Sequence, residues 1–167
     1  MTHKCYLQTP IGIICIQEEE EMITALHVDR QYEERYHLCR SSDAELSFLE
    51  EPETGLLKVA GIQLMEYFQG KRKEFSLPLS PQGTVFQRKV WEALCTIPYG
   101  QTRSYGEIAA QIGNPKACRA VGGANNKNPI MIFIPCHRVI GADGSLVGFG
   151  GGLGAKRYML DLEKGEN

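Results

Sequence analysis

The chain has 167 residues, 43% of them hydrophobic and 23% charged, with a formal net charge of −2; this is the make-up of an ordinary globular protein, with chain enough for one sizeable core or two small ones. No apolar run approaches the roughly 18–20 residues of a membrane-spanning helix, and Met1-Thr2-His3-Lys4-Cys5 lacks the apolar centre of a secretion signal, so a cytoplasmic protein without membrane association is expected. The six cysteines, at 5, 15, 39, 95, 118 and 136, are irregularly spaced with no CxxC pair, which fits free thiols better than a disulfide framework.

Residues 4–8 and 11–16 read as two short strands about Thr9-Pro10-Ile11-Gly12, where Pro and Gly mark the turn. Glu18 to Glu21 is an acidic cluster that reads as an exposed loop, and Ile23 to Val28 alternates like a third strand. Cys5, Cys15, His3 and His27 fall in this region, but their spacing matches no standard zinc pattern and no metal is expected. From Gln31 to Glu53 the chain is polar, with a short helix near Asp43 to Leu49 as its candidate element. Leu57, Ile62, Leu64, Met65 and Phe68 recur at helical spacing, and Gly70 is a normal stop. Phe75 to Leu79 is extended and Ser80-Pro81-Gln82-Gly83 reads as a linker. This places one domain at 1–80 and a second at 81–167.

The second half opens with Thr84-Val85-Phe86-Gln87, a capping box for a helix whose apolar face is Phe86, Val90, Trp91 and Leu94 and which stops before Pro98. Ser104-Tyr105-Gly106-Glu107 is a second box, opening a helix that runs to Gly113. Asn114-Pro115 signals the next start, a cap followed by Pro at the first helical position, for a helix carrying Ala117, Cys118, Arg119, Ala120, Val121 and Gly122. Two short helices joined in this way fit either a helix-turn-helix or a plain αα-hairpin. A helix of such small side chains could enter a narrow minor groove with Arg119 as its one long probe, and tight packing inside the protein would give the same composition. Residues 1–80 carry 8 basic and 14 acidic side chains, and residues 81–167 carry 10 basic and 6 acidic. A split of −6 against +4 suggests that the second half meets an anion such as nucleic acid.

Ile130 to Phe133 is an apolar, β-branched run that reads as a buried strand ended by Pro135. Cys136 and His137 follow directly. A thiolate is the reactive form of cysteine and a neighbouring base or positive charge favours it, although free cysteine is also a common buried hydrophobe. Gly141 to Gly144 reads as a turn. The glycine-rich Val147 to Gly154 lacks the ending of a phosphate loop, and its glycines suit close approach of backbone N–H groups to a flat ligand. A terminal helix, Ala155 to Glu163, ends on a carboxylate that the helix dipole disfavours. Glu163 therefore faces solvent or has a partner, and a histidine is the natural one.

Together, Ile134-Pro135-Cys136-His137-Arg138-Val139, Arg119-Ala120-Val121-Gly122 with Asn128-Pro129, Thr102-Arg103-Ser104-Tyr105 and Gly150-Gly151-Gly152-Leu153 resemble the O6-alkylguanine-DNA alkyltransferases (methylated-DNA–protein-cysteine methyltransferases). The likeness covers nearly all of the second half and continues more loosely through Gln63 to Gly70. It implies a small α/β N-terminal domain with a short antiparallel sheet and a mostly helical C-terminal domain containing a helix-turn-helix. It also implies a monomeric, single-turnover repair protein without cofactor or metal. Such a protein flips O6-alkylguanine out of double-stranded DNA and moves the alkyl group irreversibly to Cys136, with O4-alkylthymine as a further candidate substrate. His137, Glu163 and a bridging water would relay the thiol proton, and Asn128 would be the hinge before the reactive segment. Tyr105 would rotate the nucleotide and donate to the departing base, with Val139, Phe149 and Gly150 around that base. Arg119 would fill the vacated stack, on a helix whose Ala117, Cys118, Ala120 and Gly122 also meet DNA. Phe149 stands where tyrosine is common in the family and Gly150 where some relatives have serine, differences expected to affect which alkyl groups fit. The competing readings are a damage sensor without transfer, a Cys-His hydrolase with turnover, and a dimeric helix-turn-helix repressor.

Overall fold

In the computed structural model, which describes residues 1–37, 45–149 and 151–165, the first strands are longer than their periodicity suggests. β1 (Thr2–Thr9) and β2 (Gly12–Glu19) form an antiparallel hairpin in which Thr9 faces Gly12. Gly12 takes φ 118, a backbone that favours glycine, and the Thr9 hydroxyl donates to its carbonyl at 2.7 Å. β3 (Met22–Val28) and β4 (Ser47–Phe48) flank the hairpin in the sheet order β3-β2-β1-β4. Of the exposed loop expected over Glu18 to Glu21, only Glu20 and Glu21 lie outside the strands, in a tight turn with φ 50 and 62. Glu18 stays in β2, buried, and accepts from the Thr54 hydroxyl at 2.5 Å.

Helix α1 (Arg30–Arg35) was not expected; Asp29 caps it by accepting from Tyr32 N at 2.9 Å. Of the helix anticipated near Asp43 to Leu49, residues 43 and 44 lie outside the described residues, and 47–48 form β4 because they pair with β1. Helix α2 (Gly55–Phe68), capped by Thr54, buries Leu57, Ala60, Gly61, Leu64, Tyr67 and Phe68, while Ile62 is exposed. Its inward face is thus turned toward the small residues: a Cβ on Gly61 would run into the Phe48 ring. With α1 and α2 both against β2, that strand is buried along almost its whole length rather than alternating.

The chain divides into two compact units, Met1–Ser80 and Pro81–Asn167. The second opens with α3 (Val85–Leu94), whose Thr84/Gln87 capping box is reciprocal and which buries Val90, Trp91, Ala93 and Leu94. After β5 (Arg103–Ser104), the Ser104/Glu107 box starts α4 (Tyr105–Gln111). Helix α5 (Cys118–Asn126) begins a turn later than Asn114-Pro115 suggests. Asn114 is instead used to end α4: its N–H bonds Ala109 O at 2.9 Å, and the N–H of Gly113, at φ 81, bonds Ala110 O at 3.0 Å. This is a Schellman closure, in which Asn114 follows the left-handed glycine and does not cap the next helix. The Trp91 indole donates to Ala124 O at 2.8 Å and fixes α5 on α3. β6 (Val139–Ile140) pairs parallel with β5, and α6 (Leu153–Lys164) ends at Gly165 with φ 77. Among the described residues no helix is long and apolar enough to cross a membrane.

Candidate active site

Residues 130–139 are all buried, yet 130–133 do not form the expected strand. Ile134 N bonds Ile130 O at 3.0 Å and Phe133 N bonds Met131 O at 2.8 Å, which folds the run into a turn. Ile132 sits at φ 71, a left-handed conformation that costs a β-branched residue about 1–3 kcal/mol. Asn128 makes this possible. Its amide donates to Ile134 O at 2.8 Å and accepts from Ile130 N at 3.0 Å, serving the backbone groups that a neighbouring strand would have served. Apolar patterning reports burial, and it does not distinguish a side-chain-stapled turn from a strand.

Past Pro135, the chain makes one 3-10 turn, Cys136–Arg138. Cys136 is 3% exposed. Burial pushes its thiol up to about 11, against the opposing pull of the Asn128 hydrogen bond and the Lys156 charge. Burial outweighs both, and the resting thiol is protonated at neutral pH. Asn125 also touches this turn, donating to Cys136 O at 3.3 Å.

The base beside the thiol is held by a second layer. His137 Nε2 lies 2.5 Å from Glu163 Oε2, and Arg138 Nε donates to Glu163 Oε1 at 2.7 Å. Gly100 N–H donates to the same oxygen at 3.1 Å, while Arg138 Nη1 bonds Ile97 O at 2.8 Å. Burial holds His137 below its ordinary value, outweighing the pull of Glu163 in the other direction. Burial also opposes the charge on Glu163, but hydrogen bonds and charge from His137 and Arg138 win and bring it down to about 2. With His137 neutral, Arg138 is the fixed charge that keeps the carboxylate ionised. An ionised carboxylate only accepts, so Nε2 carries the imidazole proton and Nδ1 is the basic nitrogen.

Lys156 of α6 is fully buried, with Nζ donating to Val139 O at 2.6 Å and to Val147 O at 3.1 Å. Tyr105 donates its hydroxyl to the same Val147 carbonyl at 2.9 Å. Burial, with smaller contributions from Cys136 and Cys118, raises its pKa and keeps it a donor. Val139 is fully buried. Phe149 is half-buried against Gly151, where a Cβ would come within 2.9 Å of the Phe149 ring and 3.0 Å of Met131. Gly150 lies outside the described residues.

Helix α5 turns Val121, Ala124 and Asn125 inward and leaves Cys118, Arg119 and Ala120 exposed, with Ala117 and Gly122 half-buried. A Cβ on Gly122 would rest 3.8 Å from the Tyr105 ring. The fold thus gathers Cys136, His137, Asn128 and Glu163 into one buried cluster, and sets Arg119 apart from it on an outer face. Sequence reasoning missed Arg138, Lys156 and Asn125. Their signals were available: Arg138 is a cation inside a run of buried residues, and Lys156, Leu160 and Glu163 share one helix face at i, i+4 and i+7. Nothing in this cluster forms a metal-ligating set; among the described residues, the one such group is Cys15, His27 and Asp29 in the first unit.

Comparison with known proteins agrees over the whole chain. Residues 2–81 match the 6-O-methylguanine DNA methyltransferase ribonuclease-like domain, and residues 85–165 match the DNA binding domain of the same family. The chain is 48% identical over 165 residues to a methylated-DNA–protein-cysteine methyltransferase of Mycobacterium leprae, covering 98% of this chain and 93% of that one. Its fold is similar to the crystal structure of the Mycobacterium tuberculosis O6-methylguanine methyltransferase, with a TM-score of 0.83 and 45% identity over 100% of this chain and 95% of the other. It is likewise similar to a Mycobacterium tuberculosis OGT crystallised in complex with DNA, at a TM-score of 0.81 and 46% identity over 96% and 92% of the two chains. The chain belongs to the 6-O-methylguanine DNA methyltransferase family.

Proposed function

We propose that the chain is a cytoplasmic, monomeric DNA repair protein that flips O6-alkylguanine out of duplex DNA and transfers the alkyl group irreversibly to Cys136. The observation that carries this reading is a buried thiol followed directly in the chain by a neutral imidazole whose Nε2 is tied to an ionised Glu163. In the proposed step the thiol proton passes by way of a bridging water to His137 Nδ1. The sulfur then attacks the alkyl carbon in line with the C–O bond, whose electron pair leaves with the guanine. Glu163 and Arg138 hold the imidazole in the tautomer that accepts this proton and stabilise the imidazolium formed. Tyr105 exchanges its bond to Val147 O for one to the departing base, placing a donor where charge grows. A thioether is chemically inert, so each chain acts once.

The direct test is intact-protein mass spectrometry after mixing with duplex DNA carrying O6-methylguanine. One methyl group per chain, mapped to the Cys136 peptide, is expected. Damage-selective binding without a mass gain would make the chain a sensor, and continued turnover would make it a hydrolase. A separate result is expected for the exposed Arg119. Base extrusion costs a few kcal/mol, and a side chain filling the vacated stack repays part of it. Arg119→Ala should therefore slow transfer from the duplex about tenfold while leaving transfer from free O6-methylguanine base within about twofold. Equal losses on both substrates would remove Arg119 from this role.

A further inference from the structure

The first unit carries a cluster that the alkyl-transfer chemistry does not use. Cys15 on β2 stands directly opposite His27 on β3, so their side chains share one face of the sheet. Asp29 is two residues beyond His27 and keeps an extended backbone, at φ −101 and ψ 90, with its N–H still bonded to Ile13 O at 2.8 Å. The two-residue repeat of a strand puts it on that same face. One ligand atom from each of the three lies within 4.8 Å of the other two, and His27 Nε2 is 4.0 Å from Asp29 Oδ2.

We propose that Cys15, His27 and Asp29 form a divalent-metal site, of zinc type, that clips β2 and β3 to the start of α1. A thiolate, an imidazole and a carboxylate are the ligand types zinc takes, and three protein ligands with one solvent position form a familiar open tetrahedral set. Ideal zinc bond lengths separate such ligand atoms by roughly 3.3–3.6 Å, so side-chain rotations of about an ångström close the observed spread. All three ligand atoms lie within 4.8 Å of one another, close enough for a single ion to reach each of them after small side-chain rotations. Asp29 uses Oδ1 to cap α1 and has Oδ2 turned to His27, so cap and ligand do not compete. The Tyr6 hydroxyl hydrogen-bonds the Cys15 sulfur, the outer-layer contact that orients a metal-bound thiolate. As the metal–sulfur bond forms, the thiol proton leaves to solvent. The expectation of no metal rested on the sequence spacing of Cys and His and on the family resemblance; here the register of two paired strands and a following cap residue assemble the ligands instead.

The test is a titration of the reduced, full-length protein with cobalt(II), followed by displacement with zinc(II). One equivalent should bind, with a thiolate-to-cobalt charge-transfer band and the strong visible bands of a tetrahedral ion. The charge-transfer band should vanish in Cys15→Ser and persist in Cys136→Ser, whose thiol belongs to the other unit. His27→Gln and Asp29→Asn lie at partly exposed positions and leave the core intact, and each should weaken binding at least about tenfold. At the same zinc concentration the thermal midpoint should rise in the wild type and rise less in His27→Gln. No thiolate band in the wild type, a band that survives His27→Gln at full affinity, or a band lost in Cys136→Ser would each overturn the proposal.

Discussion

Glu163→Gln is expected to lower the rate of alkyl transfer by about 10²–10³-fold, the scale at which a positioned base contributes. The substitution keeps shape and removes charge. A glutamine oxygen can still accept from Arg138 and Gly100, as Glu163 Oε1 does now at 2.7 and 3.1 Å. Its amide NH2 then faces His137 Nε2, where Oε2 stood at 2.5 Å. Two donors cannot meet, so Nε2 gives up its proton and Nδ1 carries it. The imidazole is then in the wrong tautomer to receive a proton from Cys136. The thiol, pushed up to about 11 by burial, must ionise without help. Single-turnover rates should therefore climb about tenfold per pH unit in the variant, following the thiolate fraction, while the wild type levels off once His137 is neutral. A variant rate within about threefold of wild type at neutral pH would remove Glu163 from the proton path.

The same substitution should also destabilise the fold. Arg138 is 6% exposed, and breaking a buried pair by removing one partner costs about 3–5 kcal/mol because the other charge stays buried. In the wild type the pH dependence has a definite sign. Glu163 titrates near 2 in the folded chain instead of its ordinary 4.5, so its contribution of about 3 kcal/mol is complete above 4.5 and is lost as pH falls toward 2. His137 is held below its ordinary 6.5, so the folded state binds fewer protons than the unfolded chain, and stability also falls as pH drops below that value. Urea unfolding midpoints measured from pH 7 to pH 3 should decline throughout in the wild type. In Glu163→Gln the drop below pH 4.5 should be shallower.

What could be read in advance followed from how local each cause was. Capping boxes at Thr84 and Ser104 are written in four consecutive residues and appear as expected. The hairpin about Gly12 and the stop at Gly70, at φ 74, are equally local. Glu163 could be suspected because a carboxylate at a helix C-terminus conflicts with the dipole, and the structure gives it His137 as partner. The failures have non-local causes. Asn114 looks like an N-cap, but the preceding glycine draws it into the closure of α4. Ile62 matched a helical stripe, yet the sheet takes Gly61 inward because the Phe48 ring leaves no room for a side chain there. The run 130–133 is as apolar as a strand, and only the reach of Asn128 to two backbone groups folds it over. The three buried groups overlooked, Arg138, Lys156 and Asn125, all bond residues at least nine positions away in sequence.

Asn128→Ala is expected to cost about 1–3 kcal/mol of stability and to slow transfer by about 10²-fold, because one side chain serves both ends of the reactive turn. Removing the amide leaves Ile130 N–H buried without its partner, while Ile134 C=O loses one bond and keeps that from Cys136 N–H at 2.8 Å; one orphaned buried group costs about 1–3 kcal/mol. The turn also carries the left-handed Ile132. With the staple gone, that strain can relax by moving Ile134 and the attached Cys136, and a displacement of about an ångström is enough for a 10²-fold loss. The thiol loses its Asn128 hydrogen bond as well, so its pKa should rise further and its alkylation by iodoacetamide should shift to higher pH. Asn128→Asp separates these effects. An aspartate can still accept from Ile130 N–H, but its second oxygen faces the Ile134 carbonyl and adds negative charge beside the sulfur. Its stability loss should resemble that of the alanine variant and its thiol should ionise at still higher pH. If Asn128→Ala unfolds at the wild-type urea midpoint and transfers at the wild-type rate, the turn is held by its apolar packing alone and the amide is dispensable.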